Sequence, residues 1–345
     1  MRGNIKSALV KTMGRLPFGL WPAVTRGTFI PVFMLHRFEI PDLELPGHST
    51  SQVKRFLEFL RRKKVDIISL EQAMNYISLG ERLNRPAVAF TIDDGYQDHL
   101  DIGLPIFKQY DVPCTYFLPT EIIKQGSWIW DAKLQFLVDE AFENPQALSA
   151  LAARFDLDAF AGKEAFCESL VCRIKLQQPE QVDQALNDIA EIAGVLVPTK
   201  PTEKYQTIDL SSVRTLENDG MLIGPHSRTH RILTSLDDQR AQDEIAGSWL
   251  DLQEMCDSPL SVFCYPVGKS TDYSAREASL VARSGMQAAV TAVPGSMLID
   301  SNTNMYTLPR YALPAEYDDF IQYSTWIEEA KTVLRKQRFK AGQKA

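Results

Sequence analysis

An α/β barrel carrying a helical insertion is the fold the sequence predicts, on three observations. Apolar, β-rich runs alternate with amphipathic helical stretches; the alternation lapses once, between residues 126 and 205; and polar residues gather just after several of the apolar runs. Strand–helix alternation indicates a parallel sheet, and in 345 residues one barrel of about 200–250 residues plus an insertion accounts for the chain.

The elements follow in order. Residues 1–27 are expected to be an N-terminal helical segment. Lys11 and Arg15 interrupt its apolar residues and no small-residue cleavage site follows, so it does not read as a signal peptide. It is a terminal helix packed on its own domain, or an interfacial helix making peripheral membrane contact, with Phe18, Leu20 and Trp21 toward lipid and Lys6, Lys11 and Arg15 toward headgroups. The barrel is assigned to 28–125 and 206–320. TFIPVFMLHRF (28–38) reads as a buried strand ending in His36 and Arg37. Residues 49–65 place Val53, Phe56, Leu57 and Leu60 at helical spacing behind a Ser/Thr cap, and 66–80 give a short strand, a helix and a glycine stop. AVAFTID (87–93) is a third apolar run, YQDHLDIGLPIFKQYDV looks helical, and PCTYFLPT (113–120) is the next strand.

Between 126 and 205 only helical periodicity appears, and this is the expected insertion. Trp128 and Trp130 near its start read as core anchors more readily than as substrate platforms. Strands and helices then resume through MLIGPHSRTH, LSVFCYPVG and MQAAVTAV to a final strand candidate, YTLPRYALP. Residues 321–345 form a basic helical tail.

Composition sets bounds on function. A formal charge of −7 argues against general nucleic-acid binding, which wants a basic face. Five cysteines without a CxxC spacing suggest neither a disulfide framework nor a thiolate zinc site. No run of about 18 apolar residues suggests a spanning helix.

The chemistry concentrates at three strand ends. Asp93 and Asp94 are adjacent carboxylates after an apolar run; as helix cap and solvated neighbour they would be ordinary, but the histidines argue otherwise. Of five histidines, His226 and His230 lie four apart in HSRTH, a spacing that on a helical turn aims both imidazoles at one ion, and His36 ends another strand. Two histidines and a carboxylate make a catalytic zinc or similar divalent site, leaving the second aspartate and His36 as base and acid. His48 and His99 are read as structural.

TIDDG (91–95), HSRTH (226–230) and FCYPVG (263–268), in that order along an α/β chain, resemble the motifs of the polysaccharide deacetylases, the carbohydrate esterases with a NodB-homology domain. The resemblance covers about 28–125 and 206–315, with Ile92 where the family usually has Phe. It implies a distorted (β/α) barrel, a divalent metal (zinc, with cobalt or nickel as alternatives) on Asp94, His226 and His230, and Asp93 as base. It also implies an oxyanion donor in the third motif, by position the Val267 N–H. Cys264 and Val267 stand where many members carry Arg and Tyr. No histidine follows His230, so the family's late acid motif is missing; one branch has its acid on the first strand, which points to His36, although a satisfied core histidine fits the sequence equally. Arg310, at another strand end, either pairs with Asp93 and orients it or forms an unrelated ion pair.

The expected activity is removal of N-acetyl groups from sugars of a polysaccharide or lipid-linked glycan intermediate, in the cytoplasm or at the inner face of the membrane. The alternatives are an amide hydrolase on a small non-sugar substrate and a non-catalytic glycan-binding protein. A long groove suits the glycan and a closed pocket the small amide.

Overall fold

The computed structural model describes residues 27–157 and 162–325. The expected N-terminal helix therefore lies almost wholly outside the described residues, as does the tail from 326 onward.

Two strands set the frame. In β1 (Phe29–Leu35) and β3 (Ala87–Asp93) every residue is buried, as befits parallel strands covered on both faces. They pair in parallel with Leu35 opposite Ile92, so His36 and Asp93 emerge together at the same sheet edge. On the other side of β3, Asp93 lies opposite Phe117 of β4 (Thr115–Leu118), and Leu118 lies opposite Pro225 of β5 (Leu222–Pro225). His226 is the next residue, and its N–H donates to the Leu118 carbonyl (2.9 Å). The register thus delivers three site residues to the C-terminal edge of adjacent strands, where parallel α/β sheets place their ligands.

The seven-stranded sheet runs β5-β4-β3-β1-β8, with β2 (Asp66–Ile67) beside β3, β8 (Ser296–Leu298) antiparallel to β1, and β9 (Tyr311–Ala312) parallel to β1. β6 (Val262–Cys264) and β7 (Ala288–Val290) form a separate parallel pair. The ladder thus divides into two sheets instead of running as one closed ring. They still abut: Leu260 N–H donates to the Ile223 carbonyl at 2.8 Å, and Gly224 admits this approach because a Cβ there would meet the Val262 carbonyl at 2.8 Å. The final strand candidate shrinks to two residues because Pro309 and Pro314 flank it and supply no ladder donors.

Helices cover the sheet. α1 (Thr50–Lys63) is capped by Ser49 and buries Val53, Phe56, Leu57 and Leu60; α2 (Leu70–Leu79) opens with a Ser69–Gln72 capping box. The stretch after Asp98 differs from the expected regular helix: His99–Gly103 is a π-turn that passes into α3 (Leu104–Gln109). Gly103 sits under the Phe38 ring there, since a Cβ would come within 2.7 Å of it. α4 (Thr120–Gln125) follows β4.

The described residues between 126 and 205 contain no strand. They hold α5 (Trp130–Ala141), α6 (Pro145–Arg154), α7 (Lys163–Ile174) and α8 (Pro179–Ala193). These helices share a core of their own, including Leu134, Leu137, Phe166, Leu170 and Leu186, that meets the sheet side through Tyr96 and Ile122. Trp130 is buried in it, whereas Trp128 is half-buried against it. After the insertion come α9 (Leu210–Asn218), α10 (Asp238–Met255), α11 (Ala275–Arg283) and α12 (Tyr317–Tyr323), whose Phe320 stacks on Phe56 at 4.2 Å between centroids. No helix among the described residues is long and apolar enough to cross a membrane.

Candidate active site

Asp94 is the centre of the cluster. Its Oδ1 lies 3.4 Å from His226 Nε2 and 3.2 Å from His230 Nε2, yet that buried oxygen has no hydrogen-bond partner. Two imidazole nitrogens and an orphaned carboxylate oxygen facing one point is the donor set a divalent cation requires, so these residues fit a metal. Burial alone would push the Asp94 carboxyl up, but the neighbouring imidazoles hold it well below the usual range. His230 moves the other way: burial would lower it, and the charges of Asp131 and Asp94 raise it to about 9.

The two histidines do not sit on a helical turn as the spacing suggested; residues 226–230 form a loop. Ser227 and His230 both adopt left-handed backbone, at φ 59° each, and Asp94 does so at 81°. Such conformations are costly for non-glycine residues and persist only where surroundings over-determine them. Here Ser227 Oγ accepts the His230 N–H (3.0 Å), and the Glu244 carboxylate of α10 accepts both the Arg228 and Thr229 N–H groups (2.8 and 2.9 Å). His226 Nδ1 donates to the Cys264 carbonyl at 2.8 Å, which leaves Nε2 as the free lone pair toward Asp94.

Asp93 is paired with Arg310. Guanidinium Nη1 and Nη2 donate to the two carboxylate oxygens at 2.9 and 2.7 Å, and both side chains are buried. Thr91 Oγ1, the Thr291 carbonyl and Cys264 Sγ accept the remaining donors. Burial opposes ionisation of Asp93, but the Arg310 charge outweighs it and keeps the carboxyl below its usual value. Asp93, His226 and Cys264 are also mutually close. Two features make them a poor second metal site: Arg310 already occupies Asp93 and Sγ with positive charge, and burial pushes the Cys264 thiol well up. Cys264 stands where many deacetylases have arginine; here a guanidinium from 46 residues further on reaches both its sulfur and Asp93.

His36 is exposed at the end of β1, not a buried core residue, and its charge is felt at both Asp93 and Asp94. Its carbonyl contacts His99 Nε2 at 2.5 Å, so the π-turn that carries His99 props the end of β1. His48 lies off the cluster and bonds Gln52. Val267 adopts φ 58° in the turn after Cys264, an unusual conformation for a β-branched residue, and among the described residues its N–H donates no hydrogen bond.

A cavity of about 540 Å³ opens onto Asp94, lined also by Arg37, Tyr96, Asp131 and Lys269. A second, of about 490 Å³, shares Arg37, Gln135, Glu164 and Tyr205 with it and runs on to Glu39 and Leu45. Helices α5 and α7 wall both. Sequence reasoning passed over Asp131, which lies one residue after Trp130: its Oδ1 is 3.8 Å from His230 Nδ1. No local pattern marks it, because packing across 99 residues creates the contact.

Buried nitrogen and oxygen donors next to an ionised, arginine-held carboxylate make a group that could hold a divalent metal ion. Comparison with known proteins goes further. Residues 178–288 match the family model described as polysaccharide deacetylase, a stretch that takes in His226, His230 and the 263–268 turn but starts after Asp93 and Asp94. Among solved structures, a deacetylase of Streptococcus pyogenes, PplD, determined in complex with acetate, is 15% identical with a TM-score of 0.57, over 86% of this chain and 98% of that one. IcaB from Ammonifex degensii is 13% identical, TM-score 0.54, over 87% and 97%. A de-N-acetylase from Aggregatibacter actinomycetemcomitans is 11% identical, TM-score 0.54, over 86% and 99%. No curated protein sequence matches the chain. By motif, by a family match over residues 178–288 and by fold, the chain is similar to the polysaccharide deacetylases.

Proposed function

We propose that the chain is a metal-dependent hydrolase that removes N-acetyl groups from sugars of a polysaccharide or of a lipid-linked glycan intermediate. The observation that carries this reading is the convergence of Asp94, His226 and His230 beside the Asp93–Arg310 pair at the floor of an open cavity. Asp94, His226 and His230 would hold a divalent ion, zinc in the first instance, which when bound would supply Lewis-acid polarisation of the acetyl carbonyl and lower the pKa of the attacking water. Asp93, ionised beside Arg310, accepts the proton of the attacking water. The Val267 N–H, turned out by its left-handed backbone, donates to the developing oxyanion. His36, exposed just past the end of β1, gives a proton to the leaving amine.

The joined cavities favour a glycan over a small amide. Each is within the range of about 300–1,000 Å³ that a single small ligand fills, and together they form a groove that runs past the reacting centre.

Elemental analysis of the purified chain should find about one equivalent of tightly held divalent metal, lost in a folded Asp94→Ala, His226→Ala double variant. Acetate release from N-acetylglucosamine oligomers should then exceed that from the monosaccharide. Wild type that takes up no zinc, cobalt or nickel would sink the mechanism and promote the glycan-binding reading.

A further inference from the structure

The two candidate metal-binding histidines are oriented by different parts of the molecule. His226 is held by the backbone of β6, through the Cys264 carbonyl. His230 Nδ1 is buried and has no hydrogen-bond partner. The carboxylate that faces it comes from the first turn of α5 in the insertion, Asp131 Oδ1 at 3.8 Å. That oxygen also accepts the Ala132 N–H at 2.9 Å, and the preceding residue, Trp130, donates its indole N–H to the His230 carbonyl at 2.9 Å. Consecutive insertion residues therefore bracket His230, one at its backbone and one at its ring.

We infer that Asp131 is a positioning residue for the metal centre: its carboxylate orients the His230 imidazole through Nδ1 and directs Nε2 toward Asp94. The inference rests on the metal-centre reading above and extends it to the insertion. A carboxylate or carbonyl on the distal nitrogen is what fixes tautomer and ring angle in metal-bound histidine, and losing it typically weakens metal binding by about 10–100-fold. Closing 3.8 Å to a hydrogen bond asks for a side-chain shift of roughly an ångström. Asp131 has room for it, since about a third of the side chain (32%) is accessible and it lines the cavity. The insertion then does more than shape the groove: it orients one of the three candidate ligands from outside the sheet.

The test is zinc affinity, measured by competition with a chromophoric chelator without substrate, for wild type, Asp131→Ala and Asp131→Asn. Asp131→Ala should bind zinc about 10–100-fold more weakly and release it faster, with an unchanged circular dichroism spectrum. Asp131→Asn keeps an acceptor oxygen of the same shape and should recover part of that affinity; it also serves if the alanine variant fails to fold, when a loss of about tenfold supports the inference. Wild-type affinity in either folded variant overturns it and leaves the deacetylase reading standing. A wild type that binds no zinc overturns both.

Discussion

His226 and His230 lie four residues apart and face the same carboxylate oxygen, yet the sheet fixes one and the insertion the other. On the sheet side the partners are main-chain or deeply buried: the Cys264 carbonyl for His226, and Arg310 for Asp93. On the insertion side they are side chains: Trp130 and the cavity-lining Asp131 for His230, and Lys175, just after α7, for the loop beyond Val267. Lys175 reaches the buried Asp272, whose other oxygen accepts the Lys269 N–H. The sheet half of the site is thus built into the ladder, while the other half depends on a helical unit docking correctly. A backbone carbonyl survives any substitution, whereas a side-chain partner can be changed singly, so the insertion is the half of the site whose contacts can be varied one at a time.

Breaking the sheet side should cost most. Arg310→Met leaves Asp93 buried without its counter-charge, and removing one partner of such a pair typically destabilises by about 3–5 kcal/mol. Urea unfolding should show a midpoint shift of that order; a shift under about 1 kcal/mol would mean Asp93 finds other partners. Breaking the insertion side should cost less. Lys175 keeps 12% of its side chain accessible, so Lys175→Met should lose about 2 kcal/mol. If the Lys269 loop shapes substrate binding, KM should rise more than kcat falls.

The smallest effect sharpens the comparison through pH. Asp139 of α5 accepts from Lys204, Tyr205 and Lys163. Burial would raise its carboxyl, but these donors hold it at about 2 against an ordinary 3.8. Because the folded value is the lower one, the stabilisation is fully present above about 4 and is lost as pH falls through about 2. Asp139→Asn should remove about 1 kcal/mol of this dependence after solvent screening, read as a flatter stability profile between those limits. A profile identical to wild type would show that the knot of charges contributes nothing to holding α5 and α7 together.

What the sequence revealed follows the same division. The strand ends carrying His36, Asp93 and His226 were legible because buried parallel strands have unmistakable apolar runs. Arg310 could be suspected from its place beside β9, but not its five hydrogen bonds. The loop form of HSRTH was hidden, since H-x-x-x-H spacing is the same on a helix, and only the Glu244 carboxylate and the left-handed Ser227 show why it is otherwise. Strand β8 has three residues and too little pattern to read. Asp131 carries no local signal because docking of α5, not spacing, brings it to His230.

The Asp93–Arg310 pair spans 217 residues. Synthesis delivers the aspartate 217 residues before its guanidinium, so a growing chain holds β3 through all of that interval without the charge that lets Asp93 be buried and ionised. A strand near the centre of the sheet therefore cannot reach its final state until a segment made much later arrives: a growing chain that has not yet reached Arg310 has β3 in hand with Asp93 still short of its counter-charge.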